Sequence, residues 1–192
     1  MLMGLCEVNR EGEFTVIGDP RVLYSVMMAI RMQIVSSAGL VTMWSTQTAI
    51  RYCCVRRQFS TIQGSRDERK VIDYQTTSFT LGRLLSRGIV LALAGEWVVK
   101  EYTALMQDVE REVFDKLDQN HHILAGFKAS FSEQCLINIE EARRSTGGAG
   151  YQANSGFVTL WSIFSPNDTL EGQNTVMLGQ ATRYLIKLYR RA

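Results

Sequence analysis

The sequence predicts an all-α protein, an antiparallel bundle of three or four long amphipathic helices. Three observations lead there. Only two prolines occur in 192 residues, too few for a turn-rich all-β chain and compatible with long helices. Apolar residues make up 46%, enough for a substantial core and too many for a disordered chain. From residue 19 onward apolar side chains recur near a 3.6-residue period, which gives a helix one apolar face. Packing such faces against one another is the simplest way to bury them. The length suits one domain, or part of a larger protein.

Residues 1–18 stand apart. Their run Cys6-Glu7-Val8, Arg10-Glu11-Gly12, Phe14-Thr15-Val16 reads as short strands around a turn, too short to form a stable sheet alone. Asp19-Pro20 opens the first helix, with Asp as N-cap and Pro at the first helical position. Its expected inward face is Leu23, Met27, Ile30, Ile34, Val41 and Ala49, and its expected end is near Phe59. Residues 60–70 are polar with one glycine and read as a loop. A second helix starts near Val71 and runs past Trp97 toward Leu105, with Ile72, Phe79, Leu84, Leu85, Val90, Leu93, Trp97 and Val98 inward. Residues 107–120 are charge-rich and read as a surface helix or linker. A third helix spans about 122–144, with Leu124, Phe127, Phe131, Cys135 and Ile139 on one face. Gly147-Gly148-Ala149-Gly150 breaks it, a short helix follows near 158–164, and a loop at Pro166-Asn167-Asp168 leads to a last helix over 174–189. No internal repeat or low-complexity tract appears.

The composition excludes several function classes. A net charge of +2 argues against nucleic-acid binding by bulk electrostatics. The stretch 22–44 is strongly apolar but carries Arg31 and Gln33. At the centre of a bilayer that arginine would cost roughly 2.5–3.5 kcal/mol, so a buried core helix is expected and no membrane span. The first residues carry acids early and do not form a secretory signal. Cys6, Cys53, Cys54 and Cys135 show neither a disulfide framework nor zinc spacing, which points to a reducing compartment. His121-His122 sits at a helix start, where neighbours point apart, and is expected on the surface. Trp44, Trp97 and Trp161 are spaced as core or interface aromatics rather than as a platform for bases.

Three segments carry the chemistry. They are 51–59 with Arg56-Arg57-Gln58-Phe59, 140–151 with Gly147-Gly148-Ala149-Gly150-Tyr151, and 169–177 with Thr169-Leu170-Glu171-Gly172-Gln173-Asn174-Thr175-Val176-Met177. Each has an ordinary account on its own. Arginines near a helix end are favoured by its dipole. A glycine run after a helix is a C-cap and turn, or a loop that offers backbone amides to a phosphate. An acid in a first helical turn is also favoured by the dipole.

Together and in this order the three segments resemble the acyl-CoA oxidase branch of the acyl-CoA dehydrogenase superfamily. The resemblance extends to Asp73-Tyr74-Gln75-Thr76 at the start of the second helix and to Arg183-Tyr184-Leu185-Ile186-Lys187 in the last, so it covers nearly the whole chain. It implies FAD-dependent α,β-dehydrogenation of a fatty acyl-CoA to a trans-2-enoyl-CoA, with electrons passed to oxygen to give hydrogen peroxide in fatty acid β-oxidation. It implies that Glu171 is the base for the α-proton, that Gly172 lets the acyl chain pass close to the backbone, and that Arg31 lies in the acyl-CoA site. It implies that Arg56 reaches the FAD pyrophosphate across a dimer interface, flanked by Arg57, Gln58 and Phe59. Gln75, Gly147 and Gly148 then contact the adenosine and ADP portion, and Gln173, Asn174 and Thr175 touch FAD after the glutamate. A homodimer formed through the helical domain and a peroxisomal location follow from the same resemblance.

Residues 1–18 are expected to be the end of a β-domain and 19–192 the helical FAD and acyl-CoA domain, the rest of a longer oxidase lying outside the chain. The sequence departs from the family pattern at Ala149, where histidine is usual, at Gln173, where an acid is usual, and at Leu170, where Phe is commoner. Gly179 stands inside the last helix in place of a leucine, which costs up to about 1 kcal/mol of helix propensity. Two rivals are an acyl-CoA dehydrogenase that passes electrons to a flavoprotein, and a non-catalytic relative serving as a helical assembly subunit.

Overall fold

The computed structural model describes residues 6–60, 62 and 64–191; residues 1–5 and 192 of the two expected segments lie outside the described residues. A hairpin of β1 (Cys6–Val8) and β2 (Phe14–Val16) comes first, antiparallel with Cys6 opposite Val16 and Val8 opposite Phe14. The Asn9 side chain nucleates its turn, accepting from the amides of Glu11 and Glu13. Five α-helices follow: α1 (Pro20–Val55), α2 (Gln75–Glu110), α3 (Leu117–Ser145), α4 (Phe157–Phe164) and α5 (Asn174–Tyr189). The chain is all-α with a small hairpin, as the sequence predicts.

Helix α1 starts where Asp19 accepts from the Arg21 amide at 2.8 Å. It ends at Val55 rather than near Phe59, because residues 56–59 leave the helix to pair with 69–71. The Val71 amide donates to Arg56 O, Gln58 to Arg69 O, and Arg69 to Phe59 O, at 2.8–2.9 Å. Helix α2 starts at Gln75 rather than near Val71, where residues 71–73 form a separate turn, and runs on to Glu110; α3 is longer than its periodicity suggests. The charge-rich stretch 107–120 resolves into the last turn of α2, a tight turn at Glu112, and the first turn of α3, burying Val109, Leu117 and Asn120.

The core lies between α1, α2 and α3, with α5 laid against α3. On α2 the buried positions are Leu81, Leu84, Gly88, Leu91, Gly95, Val98, Tyr102, Leu105 and Val109. They alternate in steps of three and four, the seam of a coiled coil. The expected faces of α1 and α2 are partly wrong. Leu23, Met27, Ile30, Phe79, Val90, Leu93 and Trp97 are exposed. On α1 the chain buries Ser25, Met28, Arg31, Val35, Ala38, Thr42, Ser45, Thr46 and Cys53 along with Ile34 and Ala49. The hydroxyls of Ser25, Ser45 and Thr46 satisfy themselves on Val22 O and Thr42 O. What selects this face is close approach. A Cβ on Gly39 would lie 2.5 Å from Ala92 Cα, and one on Gly95 2.9 Å from Ser36 Cα, so the two backbones nearly touch. Helix α1 is long and apolar enough to cross a membrane; in this fold it is packed along one face by α2 and α3.

Candidate functional site

The loop before α5 carries Glu171 in the left-handed region, φ 57°, followed by Gly172 at φ 112°. Backbone in that region is strained for a non-glycine residue and persists only where its surroundings hold it. Two groups from other helices do so. Arg31, buried on α1, donates from Nε to Glu171 O at 3.1 Å. Lys128, fully buried on α3, donates from Nζ to Gly172 O at 2.6 Å and to Asn174 Oδ1 at 2.9 Å. Asn174 in turn donates from Nδ2 to Ser132 Oγ at 2.9 Å and to Asp168 Oδ1 at 3.1 Å. Burial lowers the Lys128 ammonium from its usual range, and the nearby Arg31 charge adds to this; the carboxylates of Asp168 and Glu171 act against it.

The Glu171 carbonyl is therefore tied inward. Among the described residues its carboxylate takes part in no hydrogen bond or ion pair within the chain, leaving the acid free to act on something else. Gln173 caps α5, its Oε1 accepting from the Thr175 and Val176 amides, and its Nε2 donates to Thr175 Oγ1. Two of the three residues expected to touch FAD here, Gln173 and Thr175, are thus exposed, whereas Asn174 is turned into the protein.

Sequence reasoning missed two members of this cluster. Lys128 was not singled out, and the histidines are not surface residues. His121 Nδ1 accepts from Arg31 Nη1 at 3.1 Å and its ring lies 5.1 Å from that of Tyr24. Arginine only donates, so the His121 proton is on Nε2. His122 points the other way, bonding Ala181 O at 3.0 Å and stacking on Tyr184 at 4.8 Å. The signal for Lys128 was present: it sits at position 128 in the stripe Leu124, Phe131, Cys135, where a solvated lysine has no place. Arg31 is buried as expected for α1, yet its partners are a carbonyl and a histidine rather than an acid.

The other motif residues gather at the opposite end of the bundle. A cleft of about 430 Å³ is lined by Tyr52, Arg56, Gln58, Val71, Arg144, Ser145, Thr146, Gly147, Gly148 and Ala149. Arg144 is engaged with Glu140, whose carboxyl is held down to about 2, mainly by the Arg143 guanidinium. Arg56 has a single long contact, 3.4 Å to Gln58 Oε1, and among the described residues no carboxylate partner. A Cβ on Gly147 or Gly148 would meet nothing within 4 Å, so no packing demands glycine there; Gly147 has φ 61°. A guanidinium beside an uncovered glycine turn suits a diphosphate. Arg57 is turned away, donating to Glu68 O. Phe59, at φ 58°, is exposed. Gln75 opens α2 beside Tyr74, whose hydroxyl donates to Gln58 O at 2.7 Å. These three stand at the same end as the cleft without lining it.

Comparison with known proteins gives one answer. The family described as acyl-CoA oxidase, C-alpha1 domain, matches residues 24–186. The peroxisomal acyl-coenzyme A oxidase 1 of Mus musculus is 32% identical over 98% of this chain, and that of Arabidopsis thaliana 36% identical over 97%. The chain spans 28% of the length of each. Among solved structures, Arabidopsis thaliana acyl-CoA oxidase 1 superposes on the whole chain with a TM-score of 0.90 at 34% identity, over 29% of its own length. Acyl-CoA oxidase-2 of Caenorhabditis elegans, bound with FAD, ascaroside-CoA and ATP, superposes on 97% of the chain with a TM-score of 0.86 at 32% identity, over 28% of its own length.

Proposed function

The chain belongs to the acyl-CoA oxidase family, and on that premise we propose that it carries the proton-abstracting base and one cofactor half-site of an FAD-dependent peroxisomal acyl-CoA oxidase. The observation that carries this reading is Glu171: a carboxylate without a partner among the described residues, on a strained loop whose carbonyls are fixed from behind by Arg31 and Lys128.

In this reading Glu171 takes the α-proton of a fatty acyl-CoA thioester. A carboxylate is a weak base in water, so the acyl chain and its surroundings must exclude solvent. The charge that develops on the thioester oxygen needs hydrogen-bond donors. The amides of Glu171, Gly172 and Gln173, which have no acceptor among the described residues, are available for that role. FAD, when bound, would supply the two-electron acceptor for the β-hydrogen, with oxygen as the final acceptor giving hydrogen peroxide. Arg56 and the amides around Gly147 and Gly148 would hold the pyrophosphate of one FAD molecule, with Gln58 and Gln75 nearby, and Thr175 and Gln173 would face a second FAD at the other end.

A second copy of the chain is part of the reading. Arg31 lies on α1 and Arg56 caps its C-terminal end 25 residues later, roughly 37 Å away at 1.5 Å per residue. In this reading the two ends serve two FAD molecules, the Arg56 cleft taking the cofactor of a partner protomer, as the family resemblance implies. Residues 1–18 then belong to the end of a β-domain, and residues 19–192 form the helical domain. The test is peroxide release from a saturated fatty acyl-CoA with FAD supplied. Peroxide and enoyl-CoA are expected in equal amounts, and Glu171→Gln should lower the rate by about 10²–10⁴-fold, the usual weight of a general base. Reduction of an artificial acceptor without peroxide would make it a dehydrogenase. A protein that takes up no FAD and turns nothing over would instead be a helical assembly subunit.

A further inference from the structure

Lysine with no exposed surface is costly. Taking its charge out of water is unfavourable, and burial already pulls the Lys128 ammonium toward its neutral form. An apolar residue would fill the α3 stripe between Leu124 and Phe131 more cheaply. What Lys128 does hold is the loop: Gly172 O at 2.6 Å and Asn174 Oδ1 at 2.9 Å. One residue earlier, Arg31 holds Glu171 O. Two consecutive carbonyls therefore point at two cations. Every peptide bond in the described chain is trans, so each N–H lies opposite its carbonyl across the bond. The N–H of Gly172 then points away from Arg31, and that of Gln173 away from Lys128, and neither finds an acceptor among the described residues.

We propose that Lys128 is a positioning residue for the base: through Gly172 O and Asn174 it fixes the left-handed loop that aims Glu171. This rests on Glu171 being the base. Around the loop lie Arg31 on α1, which holds Glu171 O, His121 on α3 against Arg31, Lys128 on α3, and Asp168 on the preceding loop, bonded to Asn174.

The experiment measures loss of deuterium from the α-carbon of an α-deuterated fatty acyl-CoA, with FAD supplied. This reads the base without requiring oxidation to complete. Lys128→Gln keeps a donor on a shorter side chain; Lys128→Arg keeps a long cationic donor. In Lys128→Gln the maximal rate should fall about 10–100-fold, as for a misplaced group, with KM changed less than about twofold. Lys128→Arg should recover most of that loss. A wild-type rate in Lys128→Gln overturns the proposal. So does unfolding of both variants in a thermal melt, which makes Lys128 a core residue only. Glu171→Gln run alongside separates the two ideas: exchange that survives it, or is absent from the wild type, overturns the base itself.

Discussion

At the Glu171 end of the bundle polar groups meet one another in a largely buried cluster, while at the Arg56 end they face outward over a cleft. Arg31, His121, Lys128, Ser132, Asp168 and Asn174 form one connected set, each with a partner inside the chain. Arg56, Gly147 and Gly148 have almost none. Buried polar groups cost free energy unless they are satisfied, so the first set must complete itself. Exposed groups have water as an alternative partner and can wait for a ligand. The loop that aims an acid is thereby supplied by this chain alone, and the cleft is completed by what binds it. Substitutions at the two ends should divide accordingly, into losses of stability and losses of binding.

The largest expected effect is at Asn174. It is buried and takes one hydrogen bond from Lys128 while giving two, to Ser132 and Asp168. Asn174→Ala leaves a buried ammonium short of a partner, at a cost of about 3 kcal/mol. For a chain of this size that lowers Tm by about 6–12 °C. Arg56→Ala should stay within about 0.5 kcal/mol of wild type, as exposed positions usually do. Equal melting temperatures for the two variants in a thermal scan would break the comparison.

One substitution made at both ends sharpens it. Gly172 has φ 112° and a Cβ there would overlap the Met177 side chain. Met177 can give way; the backbone cannot. Gly172→Ala should cost about 2 kcal/mol for a residue forced into that region, or roughly 4–8 °C in Tm. Gly148 has ordinary φ and open space around it. Gly148→Ala should leave the melt within about 0.5 kcal/mol and weaken FAD uptake in a fluorescence titration. An unchanged FAD affinity would remove Gly148 from the cofactor surface.

The uneven legibility of the sequence has the same origin. Helix existence was readable because periodicity and the two prolines report on it directly. The N-terminal cap at Asp19 and the start of α5 at Asn174 fell where expected. The inward face of α1 was not readable, because residues 22–44 are apolar almost all round and the choice is made by Gly39 and Gly95 letting two backbones approach. The cleft residues were readable because solvent-facing arginine and glycine without a packing role form a pattern that a family resemblance can carry. Lys128 and His121 were not, because lysine and histidine on a helix are read as solvated by default. The stripe that includes position 128 contradicted that default, and the contradiction marked the site.

The smallest expected effect is a pH dependence at the buried end. Burial, and then the Arg31 charge, push the His121 imidazole below its ordinary value of 6.5, outweighing the opposing carboxylate of Asp118. Arg31 on α1, Tyr24 on α1, and Asp118, His122 and Gln180 are the groups that surround it. Its Nδ1 accepts from Arg31, so protonation would set an N–H against a guanidinium. The folded state therefore binds this proton less readily than the unfolded chain does. By linkage the associated stability is fully present above about 6.5. It is lost as pH falls through the lower folded value. Tm should drop between pH 7.5 and 5.5, a window in which the two histidines are the side chains that ordinarily titrate. His121→Gln offers Arg31 an amide oxygen in place of Nδ1 and cannot take the proton, so its melt should be flatter over that window. A slope unchanged in His121→Gln would assign the drop to His122 or to another group, and would leave the Arg31–His121 contact without influence on how the loop is held.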